Sequence, residues 1–330
     1  MQNNNNTIDN KFIILGRLSS KAYSEIYKVR KVNENNEYIA KVRKNNPHEE
    51  FEMTKLASEL NNPNIIHLEE LGIGTVNYQG TITNNAFYMI LEYCPKGDLF
   101  KYVEIERFTG KPAKYIFKKI LLGVQALHKA NICHRNLKLE TILLDNNFNP
   151  KISNFVFATQ FQRNNQPIML NEVNGTLRYI SPNILSHQPY DGEKADIFSL
   201  GVTLFVLVSG RWGFVDPTKK DPCYRYIIAG NIPQYWIELY ARIGNMNFSD
   251  EFKNLYISMV APNENDRPHI AQVLSHPWFN EINNLDNQQL HQLEDDVRNA
   301  FTQRENNMNN QPMNNAIQDF EDDEDNLDDR

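Results

Sequence analysis

The chain reads as an α+β protein: a small, mainly antiparallel sheet with one helix over about the first hundred residues, then a larger helical region. Three observations predict this. Residues 12–42 run as short apolar patches separated by polar turns, which is how strands appear. One helical stretch follows at 48–61, closed by Pro63. Past Gly97 the apolar residues fall at helical spacings, joined by long loops.

The elements follow in order. FIILGRL (12–18), EIYKVRKV (25–32) and EYIAKVR (37–43) are the first strands, with NENN (33–36) as the hairpin turn between the last two. HEEFEMTKLASELN (48–61) places Phe51, Leu56 and Leu60 at helical spacing. NIIHLEELGI (64–73) and AFYMILEYC (86–94) read as two more strands. Helices are expected at 112–130, 195–210, 249–260 and 268–275. The connection 155–182 is too long for an ordinary loop, and such stretches are functional or disordered. Leu290, Leu293, Val297 and Phe301 give 285–304 the pattern of a peripheral amphipathic helix.

Charge and composition exclude several function classes. The formal charge is −7, and residues 319–330 carry all of it, with eight acids and one arginine. A neutral body with an acidic tail lacks the basic face that nucleic acids need. The tail reads as a solvated, disordered end, as do residues 1–10. Cys94, Cys133 and Cys223 are odd in number and widely spaced, which argues against a disulfide framework or zinc site and for a reducing compartment, the cytoplasm. The N-terminus has no apolar signal region. The longest apolar run, Leu200 to Val208, is far short of the roughly 20 residues that cross a bilayer, so no membrane partner is expected. About one residue in seven is asparagine, and there are no internal repeats.

Five stretches carry a resemblance: HRNLKLETILL (134–144), KISNFVFA (151–158), GTLRYISPNIL (175–185), YDGEKADIFSLGVTLFVLVSG (190–210) and DRPHIAQVLSHPWF (266–279). In order and spacing they resemble the catalytic loop, the metal-binding loop, the end of the activation segment, the central buried helix and the closing segment of the eukaryotic serine/threonine protein kinases. The resemblance implies a bilobal kinase fold over residues 11–280, with an N-lobe to about 94 and a C-lobe from about 95. An amphipathic helix at 281–304 and a disordered acidic tail at 305–330 would follow.

It also implies which positions should hold the chemistry, and most are altered. The general base of the catalytic loop falls on Asn136, an amide with no useful basicity, and a positioned base is worth about 10²–10⁴ in rate. The metal ligands fall on Asn154 and Thr141, neither of which brings the anionic oxygen that Mg²⁺ favours. The glycines of the phosphate loop fall on Ser19, Lys21 and Ser24, and the bulk of Lys21 and Tyr23 suggests a loop that fills the cleft. Lys41 holds the place of the phosphate-binding lysine. Its helix partner, counted back from Pro63, falls on Met53 with Glu52 one residue off, so the ion pair is left without an owner. Lys138 keeps the lysine that marks serine/threonine specificity. The backbones of Glu92 and Cys94 would receive a purine, and Asp98 would reach the ribose. Residues that serve shape (His134, Arg135, Phe155, Gly175, Pro182, Asp196, Gly201, Arg267) are retained. Asparagine enrichment alone explains Asp→Asn changes but not three lost glycines or an Asn→Thr.

The resemblance thus implies a pseudokinase: a catalytically inactive, kinase-like scaffold or allosteric regulator of a protein partner, an active kinase among the candidates. No cofactor is expected, with metal-free ATP as the variant. The alternative is a divergent serine/threonine kinase using ATP. The helix at 285–304, the acidic tail and the outer faces of the lobes are the expected docking surfaces. Arg267, whose family partner is a glutamate, is expected to donate a hydrogen bond to the side-chain oxygen of Asn183. The activation segment, 157–174, offers only Thr159 as a phosphate acceptor, so Arg135 is expected to have no phosphate to hold.

Overall fold

The structure, a computed structural model, describes residues 6–21, 23–163 and 166–310. The chain divides into two compact units, residues 1–95 and 96–330.

The first unit is a closed antiparallel sheet with one helix. Strands β1 (Thr7–Ile8), β2 (Phe12–Ser20), β3 (Ser24–Lys31) and β4 (Glu37–Arg43) lead to helix α1 (His48–Glu59) and then to β5 (Leu68–Tyr78) and β6 (Thr81–Glu92). The sheet order is β1-β2-β3-β4-β6-β5, and β1 closes it by pairing with both β2 and β5. Phe12, Tyr27, Val29, Ala40, Tyr88 and Ile90 fill the inside, none more than 1% exposed. Strand alternation explains this: β4 buries Ala40 and Val42 and turns Lys41 to the other face. Pairing begins at Thr7, inside the stretch expected to be disordered. Asn6 secures it, since its carbonyl accepts from Ile14 N–H (2.9 Å) and its side chain accepts from Gln79 N–H (2.8 Å). β5 starts at Leu68 and runs on to Tyr78, later than NIIHLEELGI suggested, because the chain reverses at Gln79 (φ 51°) and Gly80 (φ 81°). Two residues at positive φ are what a tight hairpin requires.

Helix α1 occupies the expected span but buries a different face. Glu50, Met53, Thr54 and Ala57 point inward, while Phe51, Leu56 and Leu60 are only partly covered.

The second unit is mainly helical. α2 (Phe100–Ile105) and α3 (Gly110–Lys129) precede three short strands, β7 (Ile132–Cys133), β8 (Ile142–Leu144) and β9 (Pro150–Ile152). α4 (Pro182–Leu185), α5 (Gly192–Ser209), α6 (Tyr224–Ile228), α7 (Ile232–Ile243), α8 (Asp250–Met259), α9 (Ile270–Leu274), α10 (Asn280–Asn283) and α11 (Asn287–Asn310) follow. α5 is buried on nearly every side, as an apolar helix with no polar face must be. Asp191 caps its start through Glu193 N–H and Lys194 N–H, and Gly210 at φ 64° ends it. Gly201 lets α8 approach closely: a Cβ there would sit 2.8 Å from Val260 and 2.9 Å from Met259.

The long connection after Phe155 is ordered at both ends. Thr159–Gln160 pairs with β7, and Met169–Leu170 pairs with Tyr190–Asp191. α11 corrects two expectations. It extends to Asn310, through residues expected to be disordered, and its apolar face is not free for docking. Leu293, Val297 and Phe301 are buried within the unit, and Phe301 meets the rings of Tyr102, Phe108 and Phe148 at 4.8–5.1 Å. Arg304 donates to the carbonyls of Glu106 and Arg107, and Glu305 pairs with Lys96. The acidic tail, residues 319–330, lies outside the described residues. No described helix is long and apolar enough to cross a membrane.

Candidate functional site

In the first unit the sheet presents Lys41 and helix α1 presents Glu50. Lys41 Nζ donates to Glu50 Oε1 at 2.5 Å, and Arg43 Nη1 donates to Oε2 at 2.6 Å. Glu50 is 4% exposed, so its carboxylate depends on these two cations for charge and hydrogen bonds. The lysine therefore has its helix glutamate. The sequence count fell on Met53 and Glu52, but Met53 packs inward and Glu52 is exposed. Glu50 shares the buried face with Met53 and Ala57, and a carboxylate at that register calls for a cation, which was the available signal.

The segment that replaces a glycine-rich loop is a tight hairpin. Ser19 pairs with Ile26 inside the strands, and Lys21 N–H donates to Ser24 O at 2.9 Å. Tyr23 is 58% exposed. At the far end of β6, the Glu92 N–H donates to His67 O (2.9 Å) and its carboxylate accepts from His67 N–H (2.6 Å). Cys94 is buried just beyond.

In the second unit the loop between β7 and β8 carries Asn136, Lys138 and Thr141. Its backbone is held by one carboxylate from α5. Asp196 Oδ2 accepts from His134 N–H and from His128 Nε2, and Oδ1 accepts from Arg135 N–H, at 2.8–2.9 Å. This fixes Arg135 at φ 62°, a left-handed conformation that a side chain adopts only when held there. His134 donates through Nε2 to Ser153 O (2.9 Å), and its Nδ1 accepts from Asn136 N–H (3.2 Å). Burial holds its pKa below the ordinary histidine value, which keeps the ring neutral and able to accept. Phe155 stacks edge-on against it at 5.1 Å.

The Asn136 side chain is engaged. Its Oδ1 accepts from Thr176 Oγ1 at 3.0 Å. Gly175 makes this possible, because a Cβ at that residue would lie 2.6 Å from the Arg135 carbonyl. The Thr141 hydroxyl accepts from Lys138 N–H (3.2 Å) and lies 2.9 Å from Lys138 O and 3.1 Å from Asn136 O. It closes the loop on itself. Asn154 is exposed at φ 65°, next to Ser153, whose hydroxyl donates to Thr141 O. Asn136, Lys138 and Thr141 thus share one hydrogen-bonded loop, and Asn154 follows Ser153, which is bonded to it. Asp98 stands just before α2, accepting from Lys101 N–H and bridging to Leu143 of β8, which follows the loop.

The sequence had not pointed to Glu140 and Tyr179 as a pair. Burial raises the Glu140 pKa, and Tyr179 Oη donates to its carboxylate at 3.4 Å. The magnesium ion that a kinase reaction uses does not fit the donors present. Asn154 and Thr141 offer neutral oxygens, and the Thr141 hydroxyl is already committed within the loop. Among the described residues no group of three or more His, Cys, Asp or Glu is placed to hold a metal.

Arg267 is 2% exposed and fully used. It donates to Asn183 Oδ1 at 3.0 Å, as expected from the sequence, and to the carbonyls of Ala261, Lys194 and Pro262 at 2.8–3.1 Å.

Serine/threonine-protein kinase SAPK2 of Oryza sativa subsp. indica is 32% identical over 223 residues, 67% of this chain and 61% of that protein. SAPK5 of Oryza sativa subsp. japonica is 34% identical over 225 residues, covering 67% and 56%. SRK2G of Arabidopsis thaliana is 33% identical over 223 residues, covering 67% and 58%. The chain spans about three fifths of the length of these curated relatives. The protein kinase domain family matches residues 14–279, which takes in all of the sheet but β1 and the start of β2, the Asp196-pinned loop and the Arg267 cluster, and the chain belongs to that family.

Proposed function

We propose that this member of the protein kinase family acts by binding a protein partner in a reducing compartment, as a scaffold or allosteric regulator, and transfers no phosphate. The observation that supports this reading is Asn136. Its amide stands where a proton acceptor belongs, and its oxygen is bonded to Thr176 in a loop whose shape is kept by Asp196. The neutral oxygens of Thr141 and Asn154 support it further, and they favour nucleotide without metal over nucleotide with it.

A second reading has observations of its own. The relatives are named serine/threonine-protein kinases, which favours transfer of the ATP γ-phosphate to protein serine or threonine. The Lys41–Glu50 pair and Lys138 are groups that this reaction needs.

One experiment separates the two. The full chain, its Lys41→Met variant and an Asn136→Asp/Asn154→Asp double variant are given radiolabelled ATP, Mg²⁺ and a generic protein acceptor. The binding reading expects wild-type transfer no higher than that of Lys41→Met. Wild-type transfer that Lys41→Met abolishes would establish the kinase reading instead.

A further inference from the structure

The second unit holds a recess that shares no residue with the loop at 134–141. About 240 Å³ in volume, it opens among the start of α3, the last turn of α5 and the start of α8. Its wall is aromatic. Phe248 and Phe252 stack at 4.7 Å, and Phe252 meets Trp278 at 5.9 Å, so three rings stand side by side. Val208, half-buried, forms an aliphatic edge. Such a wall favours a flat apolar ring, which can lie offset or edge-on against it.

The charge at the recess has one sign. None of its described lining residues is acidic, and two are cations. Lys114 is committed: Nζ donates to Glu281 Oε2 at 2.6 Å and lies 5.7 Å from the centre of the Trp278 ring. Arg107 is exposed, and its guanidinium makes no hydrogen bond or ion pair among the described residues. A guanidinium offers paired donors that match the two oxygens of a carboxylate. The volume sets the ligand's size. Drug-sized ligands occupy roughly 300–1,000 Å³, so this recess suits one ring or two fused rings and is too small for a nucleotide.

We infer that the recess is a binding site for a small aromatic carboxylate, with the ring on the wall of Phe248, Phe252 and Trp278 and the carboxylate on Arg107. The apolar wall supplies the attraction and the guanidinium selects the sign of charge. The site is separate from Asn136 and its neighbours, so the inference holds whether or not phosphate is transferred.

An NMR titration of the full chain with 2-naphthoate, following the Trp278 indole N–H signal, tests this. 2-Naphthylmethylamine, which has the same rings and the opposite charge, is the control. 2-Naphthoate should shift the signal with a Kd of about 1 mM or tighter, the weak end for a ligand of its size, and should bind about tenfold more tightly than the amine. Arg107→Gln changes an exposed side chain and should weaken 2-naphthoate about tenfold, the loss of one charge-assisted pair, while leaving the amine unaffected. Val208→Trp fills the recess and should abolish binding, with its melting temperature verifying that it folds. A wild-type Kd weaker than about 1 mM, equal affinity for acid and amine, or unchanged affinity in Arg107→Gln would overturn the inference. So would unchanged affinity in folded Val208→Trp, since the ligand would then sit elsewhere.

Discussion

Glu50 sits on the buried face of α1, and that position decides its role. A carboxylate 4% exposed must be matched by charge, and Lys41 and Arg43 supply it from the neighbouring strand. Glu50→Gln keeps the shape but leaves two cations facing a neutral amide. It should lower stability by about 3 kcal/mol, seen as a lower urea midpoint at unchanged slope. An unmoved midpoint would mean that water already solvates both cations. Arg267 is the converse case, a buried cation met only by neutral oxygens, and burial depresses its pKa to about 10. The two sites differ in how far they could be read. Asn183 was legible as the partner of Arg267 because both belong to fixed motifs. Glu50 was not, because the count from Pro63 crossed an irregular stretch and the apolar stripe of α1 was assigned to Phe51, Leu56 and Leu60. The inward positions 50, 53 and 57 carry the true period.

At the level of elements, α11 shows how a peripheral helix becomes part of a core. Phe301 is fully buried among three other rings, whereas the Lys96–Glu305 pair is about a quarter to a third exposed. Packing and charge should therefore separate cleanly on mutation. Phe301→Ala should cost about 3–5 kcal/mol in chemical denaturation, and Glu305→Gln at most about 1 kcal/mol. Comparable costs would mean that the ion pair and not the ring anchors the helix. Elements with a clear period were legible: EYIAKVR is β4 to the residue, and the helices at 110–129 and 250–259 lie within two residues of their expected spans. α7 was not read, although Asn231 caps it and a proline stands in its first turn, because its aromatic residues blur the apolar stripe. The β5–β6 turn was missed because Gln79-Gly80 is an uncommon pair for two left-handed residues.

Across the whole molecule, stability should depend on pH through a group at the centre of the second unit. His134 is neutral when folded because burial lowers its pKa. An unfolded histidine takes up a proton near pH 6.5, so below about that value the unfolded state binds more protons and stability falls as pH drops. The melting temperature should decline between pH 7 and 5.5, and His134→Gln should show a shallower decline. Parallel declines would assign the slope to other groups. Asp196 carries a broader consequence. The start of the loop at 134–141 is held from outside it, by a carboxylate on α5 that accepts from the backbone amides of His134 and Arg135. Backbone amides are the same whatever residue bears them. A change of side chain at residue 136 therefore leaves these two anchors in place, and what it alters directly is the bond to Thr176.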